Sequence, residues 1–380
     1  MKENNNIIIK IMYFLCILPF LGIYGIKNNI NSIIYESWQI ISMLFLFFRI
    51  IKISKIKVNF FILFFIFFEI EIFITTTFKM GFSFGILNIT LVTIFLILLI
   101  QYDFDLIINT LHILFFVILL ANTISMFVIE NTETAMYFVG GKNSFSMYFV
   151  PSIFIVMFYS YYKFNHLNKI SVLYIVVSLF EIFLGESGTG IVVATIALFL
   201  ILFLNKMPKN KYIYIGVICF IYIVLILGTK ILYSNNLWIM FTNLLGKDST
   251  LTSRAVIWNN VINQLKNNII FGLGRGYPIF YTNSFNIKNV VYETHNFFLE
   301  ILSQGGRIGS FFYFMSFINV LKGINMNKKL EKILFVSIIV LLINGFTESI
   351  NNNMIVILTI AITNRVTKNL IIDKENIHCG

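Results

Sequence analysis

The stretch V-N-F-F-I-L-F-F-I-F-F-E-I-E-I-F-I-T-T, from Val58 to Thr76, sets the fold class. It is a continuous Ile/Leu/Phe run of the length that crosses a hydrocarbon core, which takes about 20 apolar residues. A chain in lipid must satisfy its backbone hydrogen bonds within each spanning segment, so such a run reads as a helix. A membrane β-barrel would instead show short segments of alternating polarity. Two carboxylates sit inside the run. Glu69 and Glu71 are costly at membrane depth and are functional candidates for that reason. Two residues apart, they point to different faces of the helix.

The same pattern recurs outward in both directions. Twelve apolar spans follow, at roughly 7–26, 38–53, 58–76, 84–101, 106–129, 145–162, 170–185, 189–204, 212–233, 308–322, 333–347 and 353–366. The chain is 58% hydrophobic and 12% charged, with a mean hydropathy of +0.87. The expected fold is all-α: a polytopic membrane protein of about twelve transmembrane helices, forming one integral membrane domain over residues 1–380. The first run, Ile7 to Ile26, follows Lys2 but lacks a small-residue cleavage site, so it reads as a retained span and not a removed signal. Cys16 and Cys219 lie within spans and Cys379 lies at the tail, which supports neither a disulfide framework nor a metal cluster. His112 and Glu181 are further ionisable residues within spans.

The net charge of +11 does not mark a nucleic-acid binder, because the basic residues punctuate the spans and form no patch. With the N-terminus in the cytoplasm, 18 of the 28 Lys and Arg residues fall in six short inner segments, as the positive-inside rule requires. Both termini are then cytoplasmic. The exception is the inner turn Q-Y-D-F-D at 101–105, which is acidic. One long polar interval, residues 234–307, becomes a large extracytoplasmic loop.

That loop holds the chemistry. In L-T-S-R-A-V-I-W-N-N-V-I-N-Q-L-K, Ser253 is a candidate N-cap. Ala255, Trp258, Val261, Ile262 and Leu265 recur at helical spacing, opposite Asn259, Asn260, Asn263 and Lys266. This is an amphipathic helix resting on the outer membrane surface or on the helix bundle, with Trp258 at the interface. The glycines of F-G-L-G-R-G then force a tight turn around Arg275. Gly272-x-Gly274-x-Gly276 has no βαβ context, so it is no dinucleotide fingerprint. Further on, V-Y-E-T-H-N-F-F-L-E-I-L-S-Q-G-G-R-I-G (Val291 to Gly309) gathers Glu293, His295, Asn296, Glu300 and Arg307 at the start of a helix that hinges at Gly305-Gly306. Helix N-termini attract anions, and the arginine fork suits phosphate. A histidine able to take a proton, with Arg254, Arg275 and Arg307 able to hold a diphosphate, points to transfer from a lipid diphosphate. Taken singly, each feature has a plainer role: a capping histidine, arginines meeting lipid headgroups, a packing stripe, a hinge.

In order, S-R-x-x-I-W (Ser253 to Trp258), G-L-G-R-G (Gly272 to Gly276), H-N-F-F-L-E-I-L (His295 to Leu302) and G-x-x-G (Gly306 to Gly309) resemble the O-antigen polymerase and ligase family of bacterial envelope glycosyltransferases. G-E-S-G-T-G (Gly185 to Gly190) adds an outer turn that carries Glu186, Ser187 and Thr189. The resemblance implies ten to fourteen helices, one large outer loop, no metal and no cofactor, and an undecaprenyl-diphosphate-linked oligosaccharide as donor. It implies His295 as the residue that deprotonates the acceptor hydroxyl, and Arg254 with Arg275 as diphosphate contacts, Arg307 being a further candidate. Glu186, Ser187, Thr189, Trp258, Glu293, Asn296 and Glu300 are candidates for the substrate cavity. Thr189 stands where many relatives have Arg. Tyr277, Tyr281 and Tyr292 can stack on sugar rings or anchor the interface. Expected partners are the lipid bilayer and a chain-length regulator or flippase of the same pathway, with no nucleic acid. The favoured activity is polymerisation of repeat units into O-antigen or capsule at the outer face of the cytoplasmic membrane. The alternatives are ligation of a finished glycan and, from another class, a lipid-linked glycan flippase. The flippase would be expected to show repeated halves.

Overall fold

The computed structural model describes residues 2–53, 56, 58–130, 132, 134–231, 254–282, 288–350 and 353–377. The expected Ser253 N-cap lies outside them, as does the side chain of Tyr281. The described chain is almost wholly helical. In order come α1 (Lys2–Ile17), α2 (Ser32–Ile51), α3 (Phe60–Met80), α4 (Phe84–Tyr102), α5 (Phe104–Val128) and α6 (Lys142–Phe164). Then follow α7 (Lys169–Leu184), α8 (Gly188–Leu202), α9 (Lys211–Ile231) and α10 (Arg254–Leu265). After a short hairpin, β1 (Ile279–Thr282) and β2 (Lys288–Val291), the chain ends in α11 (Phe297–Gly323), α12 (Lys329–Asn344) and α13 (Met354–Ile377).

A helix lies over each of the twelve expected spans. Among the described residues five, α2 to α6, are long and apolar enough to cross a membrane. Others are shorter: α7 and α12 have 16 residues and α8 has 15, below the roughly 20 of a full crossing. Large apolar side chains such as Phe78 and Phe127, each 86% exposed, face outward as lipid contact requires. The protein is membrane-embedded.

Two boundaries differ from the sequence reading. α1 stops at Ile17, because Pro19 lies within a separate 3-10 turn, Leu18–Phe20, and a further helical turn forms at Tyr24–Lys27; proline lacks the N–H that would continue the ladder. α2 starts at Ser32, where Asn31 Oδ1 accepts from Ile33 N at 2.9 Å, so Glu36 lies inside the helix. α11 agrees with the sequence reading: the helix starts at Phe297, hinges at Gly306 and continues as the expected span at 308–322. The hairpin was not expected. Its strands pair antiparallel with Ile279 opposite Val291 and Phe280 opposite Val290.

Short connections make successive helices antiparallel, so the turns collect at two ends. At one end Arg49 Nε meets Asp103 Oδ2 at 2.7 Å and Lys163 Nζ meets Asp105 Oδ1 at 2.6 Å. That pairing accounts for the acidic 101–105 turn, whose two aspartates are matched by cations from neighbouring segments. The other end, the loop end, gathers residues 18–31, 81–83, 134–141, 185–187, 266–282, 288–296 and 345–350. Gly25 N donates to Phe138 O at 2.8 Å, Ser187 Oγ to Asn143 Oδ1 at 2.7 Å, and Lys79 Nζ to Asn268 Oδ1 at 2.6 Å.

Candidate functional site

The most extensive helix contact, between α3 and α11, sets the site. Gly305 and Gly309 present no side chain, and the Glu71 carboxylate fills that space: a Cβ on either glycine would meet Glu71 Oε2 at 2.7 or 2.5 Å. Below it, Tyr313 packs edge-on against Phe68, ring centres 4.8 Å apart. At Gly306 the backbone leaves the helix (φ 56°, ψ −152°). An unbroken helix would pair N–H 307 with C=O 303 and N–H 308 with C=O 304. Here all four groups pair with the F-G-L-G loop instead. Leu273 N donates to Ser303 O at 2.6 Å and Gly274 N to Gln304 O at 3.0 Å, while Arg307 N and Ile308 N donate to Ile269 O and Ile270 O at 2.9 and 3.1 Å. Buried backbone groups must be paired, and the loop does for the bent helix what the helix no longer does. The approach is so close that a Cβ on Gly272 (φ 79°) would lie 2.5 Å from Gly306 N, and one on Gly274 (φ 89°) 2.7 Å from Thr76 Cα. The glycine-rich motif is therefore explained by backbone packing.

The loop end of α11 is stitched to the turn after α12. Phe297 N donates to Gly345 O at 2.8 Å and Asn296 Nδ2 to Phe346 O at 3.2 Å. His295 N donates to Ser349 Oγ at 2.9 Å, and Ser349 Oγ donates to Glu300 Oε2 at 3.1 Å. Asn296 Oδ1 caps the helix by accepting from Leu299 N at 3.1 Å. Glu300 accepts from Thr294 N at 2.7 Å and from Gln304 Nε2 at 2.6 Å. Asn296 is fully buried and Glu300 2% exposed. The helix N-terminus is thus capped from within its own segment, and Asn296 and Glu300 hold that segment together from inside.

What the stitching displays is His295. Its φ of 51° is left-handed, an uncommon and strained conformation for a non-glycine residue. Its Nδ1 lies 3.5 Å from Glu348 Oε2, and the other oxygen of the same carboxylate accepts from Arg254 Nη2 at 2.7 Å. The Arg254 and Glu348 side chains are 8% and 5% exposed, that of His295 33%. Glu348 thus bridges a buried guanidinium and a half-buried imidazole. The Glu348 carboxylate raises the imidazole pKa above its usual value, against burial and the Arg254 charge, which lower it. Glu293, at the rim, is raised as well, by desolvation first and then by the Glu300 and Glu348 carboxylates. Trp258 is 1% exposed, turned into the protein, which fits the expected alternative of α10 resting on the helix bundle. Its Nε1 donates to Thr294 O at 2.9 Å, next to His295. The rest of the α10 stripe holds, with Ala255, Val261 and Leu265 buried and Asn259, Asn263 and Lys266 exposed.

The remaining candidates divide. Thr189 Oγ1 lies 3.2 Å from Thr347 Oγ1, beside Glu348, which brings the 185–190 turn to the His295 cluster. Ser187 Oγ is engaged by Asn143 and by Gly190 N. Glu186 is exposed at a left-handed φ of 53°. Arg275 joins a different group: its Nη2 donates to both Glu69 oxygens at 3.2 Å, and its backbone N to Thr76 Oγ1 at 2.8 Å. The Arg307 side chain is exposed on α11 and joins no ion pair among the described residues. Glu181 is held by Asn122 Nδ2 at 2.7 Å and by the Thr123 hydroxyl. Glu348 had no part in the sequence reading. The signal available was a lone carboxylate in the short F-T-E-S-I turn, on the same side of the membrane as His295.

Residues 173–314 match the family model described as O-antigen ligase. All the motifs that carried the resemblance lie inside that interval. No curated protein matches the chain.

Proposed function

From the match of residues 173–314 to the O-antigen ligase family model, we propose a membrane glycosyltransferase that polymerises undecaprenyl-diphosphate-linked oligosaccharide units at the outer face of a bacterial cytoplasmic membrane, both termini being cytoplasmic. The observation that carries this reading is the His295–Glu348 pair, Nδ1 to Oε2 at 3.5 Å. Nδ1 faces the carboxylate, so Nε2 is the nitrogen offered to an acceptor hydroxyl. The acceptor oxygen attacks the anomeric carbon of the donor sugar, its proton passes to His295 Nε2, and the bond from that carbon to the diphosphate oxygen breaks. A base so placed typically contributes about 10²–10⁴-fold.

Arg254 is then a positioning residue, since its charge is matched by Glu348. Arg275, matched by Glu69 and lying in a group apart from the His295 cluster, is not assigned to the leaving diphosphate in this reading. Arg307 takes no part.

The test is His295→Ala in purified protein supplied with the lipid-linked oligosaccharide of the native host. Product should stop at the single unit; unchanged chain length overturns the assignment. Deleting the gene separates the neighbouring activities. Single repeat units on the cell surface mark a polymerase, and long chains left on the carrier lipid mark a ligase.

A further inference from the structure

A cavity of about 750 Å³ opens at the loop end, between the starts of α2 and α4. Ordinary small-molecule sites span about 300–1,000 Å³. No residue of the His295–Glu348–Arg254 cluster lines it; Arg275 does, at one edge. Two lining residues hold buried polar atoms without a hydrogen-bond partner among the described residues: Asn88 Oδ1, on a residue only 2% exposed, and Arg275 Nε and Nη1. Buried polar atoms in folded proteins are nearly always paired, so such a group at a cavity wall calls for a partner from outside the chain.

The lining decides what that partner is. Its cations, Lys27 and Arg275, are balanced by Glu36 within the lining and by Glu69 behind Arg275. A diphosphate would need more uncommitted positive charge. The polar groups are instead a mixture. Glu36 accepts, and Lys27 and Arg275 donate. Gln39, whose Nε2 already donates to Pro19 O at 3.3 Å, offers its oxygen. Phe84 adds an aromatic wall. Alternating donors and acceptors against one apolar face match a sugar ring, which carries hydroxyls around its edge and C–H bonds on its faces.

We propose that this cavity binds a sugar ring of the glycan through Glu36, Gln39, Asn88 and Arg275, at a site separate from the His295 cluster, so that residues of the N-terminal half set which sugar the protein accepts. The ligand class rests on the glycosyltransferase reading above; the binding test does not require turnover. Full-length protein in nanodiscs is screened by saturation-transfer NMR against glucose, galactose, mannose and their N-acetylamino derivatives. Inorganic diphosphate and undecaprenyl phosphate serve as competitors. At least one sugar should show transfer, diphosphate should not displace it, and affinity should fall at least tenfold in both Asn88→Leu and Gln39→Leu. Glu36→Gln alters an exposed side chain and should weaken the same sugar, which keeps the proposal testable where Asn88→Leu disturbs folding. No transfer to the wild type overturns the proposal, as does transfer that all three variants leave intact. Displacement of the sugar by diphosphate, or loss of undecaprenyl phosphate binding in the variants with no sugar signal, overturns it in favour of an anion or lipid site. His295→Ala should keep the sugar signal. If that variant still polymerises while binding sugar, the catalytic reading alone has failed.

Discussion

Replacing Glu348 by Gln removes one charge and almost no volume, and the structure gives three consequences. The first is stability. Arg254, 7% exposed, loses its counter-ion; breaking a buried pair by removing one partner costs about 3–5 kcal/mol. A glutamine carbonyl can still accept from Arg254 Nη2, so the lower end, ~3 kcal/mol, is expected. The second is titration. Glu348 holds the imidazole above the usual histidine value of about 6.5. A general base must be neutral, so the acid limb of kcat/KM in the wild type lies above that value. In the variant only burial and the Arg254 charge remain as the larger influences, both lowering the pKa, and the limb should move to lower pH. The third is orientation. Without the carboxylate the imidazole is no longer fixed with Nδ1 inward, and kcat should fall ~10²-fold, the lower part of a general-base contribution. Linkage gives a matching sign. A histidine whose folded pKa is raised adds stability that is complete below about pH 6.5 and is lost as pH climbs through the folded pKa. The wild type should therefore gain more thermal stability on acidification than the variant. The assay is the initial rate of polymer formation between pH 5.5 and 9, beside thermal unfolding in detergent. A kcat within ~3-fold of wild type with an unmoved acid limb would refute the dyad, whatever happens to stability.

Three further outcomes follow from the same structure. Gly272→Ala places a Cβ 2.5 Å from Gly306 N at a φ of 79°, breaking into the four-bond exchange at the kink; at ~1 kcal/mol per net bond plus strain, unfolding should show a loss above ~3 kcal/mol. Trp258→Phe deletes the hydrogen bond to Thr294 O and part of a buried ring, so a loss of ~1–2 kcal/mol in unfolding and a modest drop in rate are expected, the His295 backbone being less firmly held. Lys266→Cys in a cysteine-free background puts a thiol on the exposed face of α10; it should react with an impermeant maleimide added outside whole cells, and labelling only after lysis would reverse the topology.

The helices were legible because long apolar runs admit one physical solution in lipid, and the glycine hinge was legible because Gly305-Gly306 interrupts an otherwise helical pattern. The hairpin was not. I-F-Y-T and K-N-V-V are four residues each, too short for alternation to stand out, and their pairing is fixed by Ile279 and Val291 packing against Val261 and Leu265. The site was half legible. His295 and Arg254 were read as neighbours in function, but each was assigned to substrate. The sequence offers no sign that one carboxylate, in a turn far along the chain, lies between them. Glu69 and Arg275 were both noticed, one as a costly intramembrane acid and the other as a phosphate ligand. That they answer each other across 206 positions is a property of packing alone.

These pairings bear on how the site is built. The matched family segment ends at residue 314 and starts after α3, yet its two motif arginines are neutralised from outside it. Arg254 is paired with Glu348 from the turn after α12, and Arg275 with Glu69 in α3. Thr76, which receives the Arg275 backbone N–H, and Ser349, which receives that of His295, also lie outside it. A buried guanidinium without its carboxylate is far less stable than the pair. The loop can therefore take this conformation only once α3 and the α12–α13 turn are in place on either side of α11. Folding order and function meet at that point: the hinge at Gly306 is held by the F-G-L-G loop, the loop is anchored by Arg275 on α3, and the same helix at its other side presents His295 to Glu348. An arrangement assembled from three sequence-distant pieces is rigid only when all three are docked, which, on the function proposed for His295, ties the imidazole's readiness as a base to the docking of those pieces.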